Sequence, residues 1–90
     1  MEFPGVGAAD LILTHASYGV ETSAAYTGIT VSLFYNEPQR EWTVMIDDPT
    51  NLIPLDGLIR AVVNLPDGRR LEGAAQQPAI LGGCFGLIED

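Results

Sequence analysis

Lysine is missing from this ninety-residue chain, and its cations are Arg40, Arg60, Arg69 and Arg70 against twelve carboxylates. Nucleic-acid binding draws most of its affinity from phosphates neutralised by Lys and Arg clusters, so a net charge of −8 argues against that partner. The same shortage argues against an anionic membrane surface. Cysteine is nearly missing too. Cys84 has no second thiol, which excludes a disulfide framework within one chain. Asn36, Asn51 and Asn64 are followed two residues on by Pro38, Ile53 and Pro66, so no Asn-x-Ser/Thr acceptor exists. No apolar run approaches the ~18 residues of a membrane-spanning helix. The start, Met1-Glu2-Phe3-Pro4-Gly5, lacks the basic and apolar stretches of a signal peptide. These absences lead us to expect a soluble protein, cytoplasmic or incorporated into a particle.

Enough apolar residues remain, 47% of the chain, to build one modest core. We expect residues 1–90 to form a single β domain. Ile29 to Tyr35 alternates, with Ile29, Val31, Leu33 and Tyr35 on one face, and is rich in β-branched and aromatic residues. Asn36-Glu37-Pro38-Gln39 supplies a turn, and Arg40 to Ile46 resumes with Trp42, Val44 and Ile46 on one face. This is a β-hairpin. Leu58 to Leu65, the turn Pro66-Asp67-Gly68 and Arg69 to Ala75 predict a second. The two share a leading glycine (Gly28, Gly57) and a turn proline followed by Arg and Glu, which hairpin composition alone accounts for.

Asp10 to Ser17 reads as a further strand, with Leu11, Leu13 and His15 on one face and Ile12, Thr14 and Ala16 on the other. Residues 18–27 are small and polar and extend the central strand backwards. Ala79 to Ile88 is apolar but interrupted by Gly82, Gly83 and Gly86, a mark of bulges or close backbone approach. No segment shows helical periodicity. The expected fold is all-β, a small antiparallel barrel or sandwich of five or six strands built on two hairpins, with Leu33, Trp42, Val44 and Val62 in its core.

Reactive side chains are few. Nucleophilic catalysis needs a base beside the nucleophile and a third group to orient it. His15 and Cys84 lie in terminal strands that could meet, but Ile80, Leu81, Phe85 and Leu87 around Cys84 would raise its pKa rather than activate it. Asp47, Asp48, Asn51 and Asp56 cluster without the spacing of a known calcium loop. Gly5-Val6-Gly7 and Gly82-Gly83 precede no helix, so neither is a phosphate cradle. Arg69-Arg70 is a small basic spot at a hairpin tip. We expect no catalytic centre, no metal and no cofactor.

What stands out is apolar surface. Leu52, Ile53 and Leu55 sit in a connecting segment, 47–57, that carries two prolines and would ordinarily be polar. The prolines also exclude a long helix there, leaving at most a short turn from Pro49. The segment should tuck under the sheet or meet another chain. Tyr35 and Trp42 share one hairpin face while Phe34 lies on the other, and Tyr and Trp are favoured interface anchors. The expected partner-binding residues are Leu52, Ile53, Leu55, Tyr35 and Trp42. The expected function is a non-catalytic protein–protein interaction or assembly module, a homo-oligomer or a subunit of a larger assembly, virus particles included. The alternatives are an acidic inhibitor or decoy that occupies a basic protein surface, and a small enzyme with an unrecognised carboxylate site.

Overall fold

The computed structural model describes residues 2–47, 53–76 and 83–90, with side chains from Ala8 onward. Six antiparallel strands, β1 (Glu2–Ser17), β2 (Val20–Asn36), β3 (Glu41–Ile46), β4 (Leu58–Asn64), β5 (Arg70–Gln76) and β6 (Cys84–Glu89), close into a barrel in the order β1-β2-β3-β6-β5-β4. No helix occurs among the described residues. Each half of the barrel is a three-stranded meander, β1-β2-β3 and β4-β5-β6. Two long-range seams, β1 with β4 and β3 with β6, join the halves. Closure pairs each strand on both sides over the body of the barrel, where an open layer would expose edges.

Alternation along each strand fills the interior. Leu11 and Leu13 from β1, Val31 and Leu33 from β2, Val44 from β3, Val63 from β4, and Phe85 and Leu87 from β6 have at most 1% of their surface exposed. Each contributes about 1.5–3 kcal/mol by leaving water. More exposed positions alternate with them on β1 to β4, whereas β6 is buried throughout from Cys84 to Leu87, and no polar or charged residue is buried among the described residues.

The two expected hairpins are β2–β3 and β4–β5, and the expected faces of β1, β2 and β3 are the ones observed. Val62 departs from expectation. It is only partly buried, while its neighbours Ala61 and Val63 are buried. The β1–β4 register slips between Thr14 and His15, where Arg60 and Leu58 are the partners and Ile59 is left over. That slip resets the alternation, and the uniform run Ala61-Val62-Val63 carries no polar residue to announce it. The faint repeat led by Gly28 and Gly57 likewise differs from the two-meander division, in which β2 corresponds to β5 and not to β4.

A third hairpin, β1–β2, is the longest element. Ser17 pairs with Val20 across a two-residue turn, Tyr18-Gly19, with φ of 51° and 78°. Positive φ at both centres is the type I′ arrangement, whose twist suits a hairpin. Leu11 pairs with Tyr26 and Ala9 with Ile29, so Thr27 and Gly28 together face Asp10 as a β-bulge. Gly28 takes φ +67°, and its N–H donates to the Asp10 carboxylate at 3.2 Å. The extra residue lets Tyr26 and Ile29, three apart, both turn toward the core.

Candidate interaction surface

The β1–β2 hairpin outruns its neighbours. β4 pairs with β1 only over Asp10–His15, and β3 pairs with β2 only over Val31–Asn36, extended by one bond from the Asp47 N–H to the Thr30 carbonyl at 2.9 Å. Among the described residues, no strand lies beside β2 from Val20 to Ile29 on the side away from β1.

The two-residue turn fixes which groups that edge presents. Ser17 and Val20 form the first hydrogen-bonded pair, so the bonded pairs continue as His15–Thr22, Leu13–Ala24 and Leu11–Tyr26. The backbone N–H and C=O of Glu21, Ser23, Ala25 and Thr27 therefore point away from β1. Ala16, opposite Glu21 in the same alternation, shows the corresponding behaviour on the other edge, where its N–H donates to the Gly57 carbonyl at 2.9 Å.

Protein edge strands usually carry lysine, proline, a bulge or an inward charge to prevent pairing. From Val20 to Tyr26 this one carries only Glu21, with the Thr27-Gly28 bulge at its end. Its side chains are otherwise neutral, and Ser23 is tied to Thr14 by a hydroxyl–hydroxyl hydrogen bond of 2.8 Å. At the tip, Tyr18 is fully exposed and Val20 is 62% exposed. Where β3 ends and the free edge begins, a surface hollow of about 260 Å³ is lined by Thr30, Ser32, Met45, Ile46 and Asp47.

The residues singled out from sequence fall at two ends of the barrel. Leu55 is buried in the core and Ile53 packs against it at the end where β3 finishes and β4 starts; Leu52 lies outside the described residues. The His15 Nε2–H donates to the Pro54 carbonyl at 2.7 Å, fastening the segment down. Tyr35 and Trp42 meet at the opposite mouth, ring centroids 4.9 Å apart and tilted by 53°. The Trp42 indole N–H donates to Glu89 Oε1 at 2.8 Å. Sequence reasoning missed the free edge, because it did not detect the tight turn at Tyr18-Gly19.

The other candidates also have positions. His15 and Cys84 sit on β1 and β6, which occupy opposite places in the strand order. Among the described residues, no three His, Cys, Asp or Glu side chains gather closely enough to hold one metal ion; Asp48 and Asn51 lie outside them. Arg70 pairs with Glu72 at 3.1 Å, and Arg60 with Asp90 at 2.6 Å. The Asp90 hydrogen bond, and then its charge, raise the Arg60 pKa. Both pairs are solvent-exposed and contribute little to stability.

Burial pushes the Cys84 thiol up. Its thiolate is scarce and shielded, so an aromatic disulfide reagent at pH 8 should modify Cys84 only at the rate of unfolding. Reaction at the rate of a free thiol in the folded protein would show that β6 opens locally. Comparison with known protein families, curated proteins and solved structures finds no match to this chain.

Proposed function

We propose that this protein is a non-catalytic interaction module that works by adding a strand to its own sheet, and so serves as a subunit of an assembly. The observation that carries this reading is the nearly uncharged edge of β2 from Val20 to Thr27, which has no strand beside it among the described residues and adjoins a fully exposed aromatic tip. Strand addition draws affinity from main-chain hydrogen bonds and specificity from alternate side chains. It uses no reactive side chain, and the pairing groups of Glu21, Ser23, Ala25 and Thr27 are held in register by β1 behind them. The rigid barrel supplies preorganisation, which lowers the entropy cost of binding.

Selection from a displayed library of ten-residue peptides tests the reading. Peptides with β-branched residues at alternate positions should be enriched on the wild-type protein. An Ala25→Pro variant should not retain them. Proline at that position removes one outward N–H and places its ring on the edge, yet breaks no bond to β1. Ala25→Pro with an unchanged circular dichroism spectrum and undiminished peptide binding would refute the assignment of the edge.

A further inference from the structure

We infer that the occupant of the β2 edge is a second copy of this chain, paired antiparallel about a two-fold axis through Ala24. This inference rests on the interaction-module reading and specifies its partner. β1 also lacks a second neighbour over Glu2–Ala9 among the described residues, but that stretch contains Pro4, Gly5 and Gly7, which weaken strand pairing. The β2 edge has no such interruption before its bulge.

The end of β3 limits the register. Asp47 is bonded to Thr30, so an added strand can use the edge only up to about Gly28. Pairing each copy's β2 with the other under that limit sets Glu21 against the second copy's Thr27, and Ser23 against the second copy's Ala25. All four outward-pointing residues of each chain are then used, giving about eight main-chain hydrogen bonds. Ala24 faces its own counterpart across a non-hydrogen-bonded position, where side chains approach most closely.

The same register brings the exposed hairpin tip of one copy up to Asp47, where β3 of the other copy ends. That is where the hollow beside Met45 and Ile46 lies, about 260 Å³ in volume. Tyr18, fully exposed in the single chain, would enter it. Aromatic rings make favourable contacts with methionine sulfur, and Met45 is 48% exposed there. A heterologous strand would fill the edge but has no reason to carry an aromatic residue at this distance. The second copy does.

Charge places a condition on the dimer. The two Glu21 carboxylates end up six residues apart along the pair, about 20 Å, beyond the screening length at physiological salt. Glu21 of one copy does approach Asp10 of the other, two strands away at about 10 Å. Added salt therefore tightens this association, whereas it would weaken a complex with a basic protein.

Sedimentation equilibrium of the purified chain, up to ~1 mM, tests the inference, since weaker association than that contributes under ~4 kcal/mol. A monomer–dimer equilibrium is expected, tighter at higher salt. Ala25→Pro should weaken it by roughly 100-fold, as two symmetry-related contacts are lost. In a cysteine scan of 22–26 under mild oxidation, Ala24→Cys should give the fastest disulfide-linked dimer, because only that position faces itself. Tyr18→Ser, which leaves the edge intact, should weaken the dimer by about 10-fold. A chain monomeric throughout the range, or fastest cross-linking away from position 24, overturns the inference. If a monomeric protein still binds displayed peptides in an Ala25-dependent way, self-pairing falls and the interaction module stands. If it does neither, both fall.

Discussion

Replacing Gly73 with alanine should cost at least ~3 kcal/mol and lower the melting temperature by about 12–24 °C. Gly73 lies on β5 between Ala61 of β4 and Glu89 of β6, on the buried face with Leu71 and Ala75. A Cβ there would collide with the Ile88 carbonyl oxygen, and its carbonyl carbon would be only 2.8 Å away. Both atoms are backbone, so no rotamer change relieves the clash. β6 would have to move bodily, and β6 is also one side of the seam with β3. Overpacking costs typically 1–3 kcal/mol where side chains can yield, and more where a barrel wall must shift. Thermal unfolding followed by circular dichroism measures the loss, with Ala74→Ser on the outer face as control. A loss under about 0.5 kcal/mol would mean that β6 can slide without opening the seam.

Trp42→Ala should have a comparable effect, a loss of about 3–5 kcal/mol. Trp42 is 6% exposed and plugs one mouth of the barrel against Tyr35. Its removal leaves a cavity and deprives Glu89 of the indole N–H it accepts at 2.8 Å. Trp42→Phe keeps most of the ring and loses the hydrogen bond, so its cost should be about 1–2 kcal/mol. For a chain of this length, whose total stability is expected near 5–13 kcal/mol, the alanine variant is close to unfolding. Trp42 is the sole tryptophan, so its fluorescence reports directly on the site. If Trp42→Ala preserved stability but abolished self-association, Trp42 would be an interface anchor and the mouth of the barrel would be the docking surface.

The fold class was legible because β2–β3 alternates cleanly, β4 is a short apolar, β-branched run, and both hairpins turn on Pro, Asn, Asp or Gly. The third hairpin was not, because Tyr18-Gly19 is a poor match to the Asn-Gly and Asp-Gly turns that favour the same backbone. Residues 20–27 do extend the central strand backwards as expected, but without that turn their pairing with β1 is not evident. The bulge at Thr27-Gly28 hides the strand further, since Tyr26 and Ile29 share a face at a spacing no regular strand allows. Val62 failed for the converse reason: three apolar residues in a row give no parity. Leu55 was recognised as too apolar for a free loop, and it is buried in its own core. The edge of β2 could not be read, because it is the absence of a neighbour among the described strands, and only the assembled ladder shows where neighbours stop.

The division into two meanders has a consequence for how the chain reaches its native state. Contacts within β1-β2-β3 and within β4-β5-β6 join consecutive strands and close loops of modest length. The β1–β4 and β3–β6 seams join residues some forty to fifty positions apart, and their closure carries a larger entropy cost. The seams also bring the apolar faces of the two meanders together. The slow step is therefore the meeting of two preformed halves, in the millisecond-to-second range of β barrels rather than the microseconds of local structure. Until then the newly made first half presents an unpaired β3 as well as the edge of β2 that no described strand covers, and on the ribosome it waits in that state for β6 to emerge.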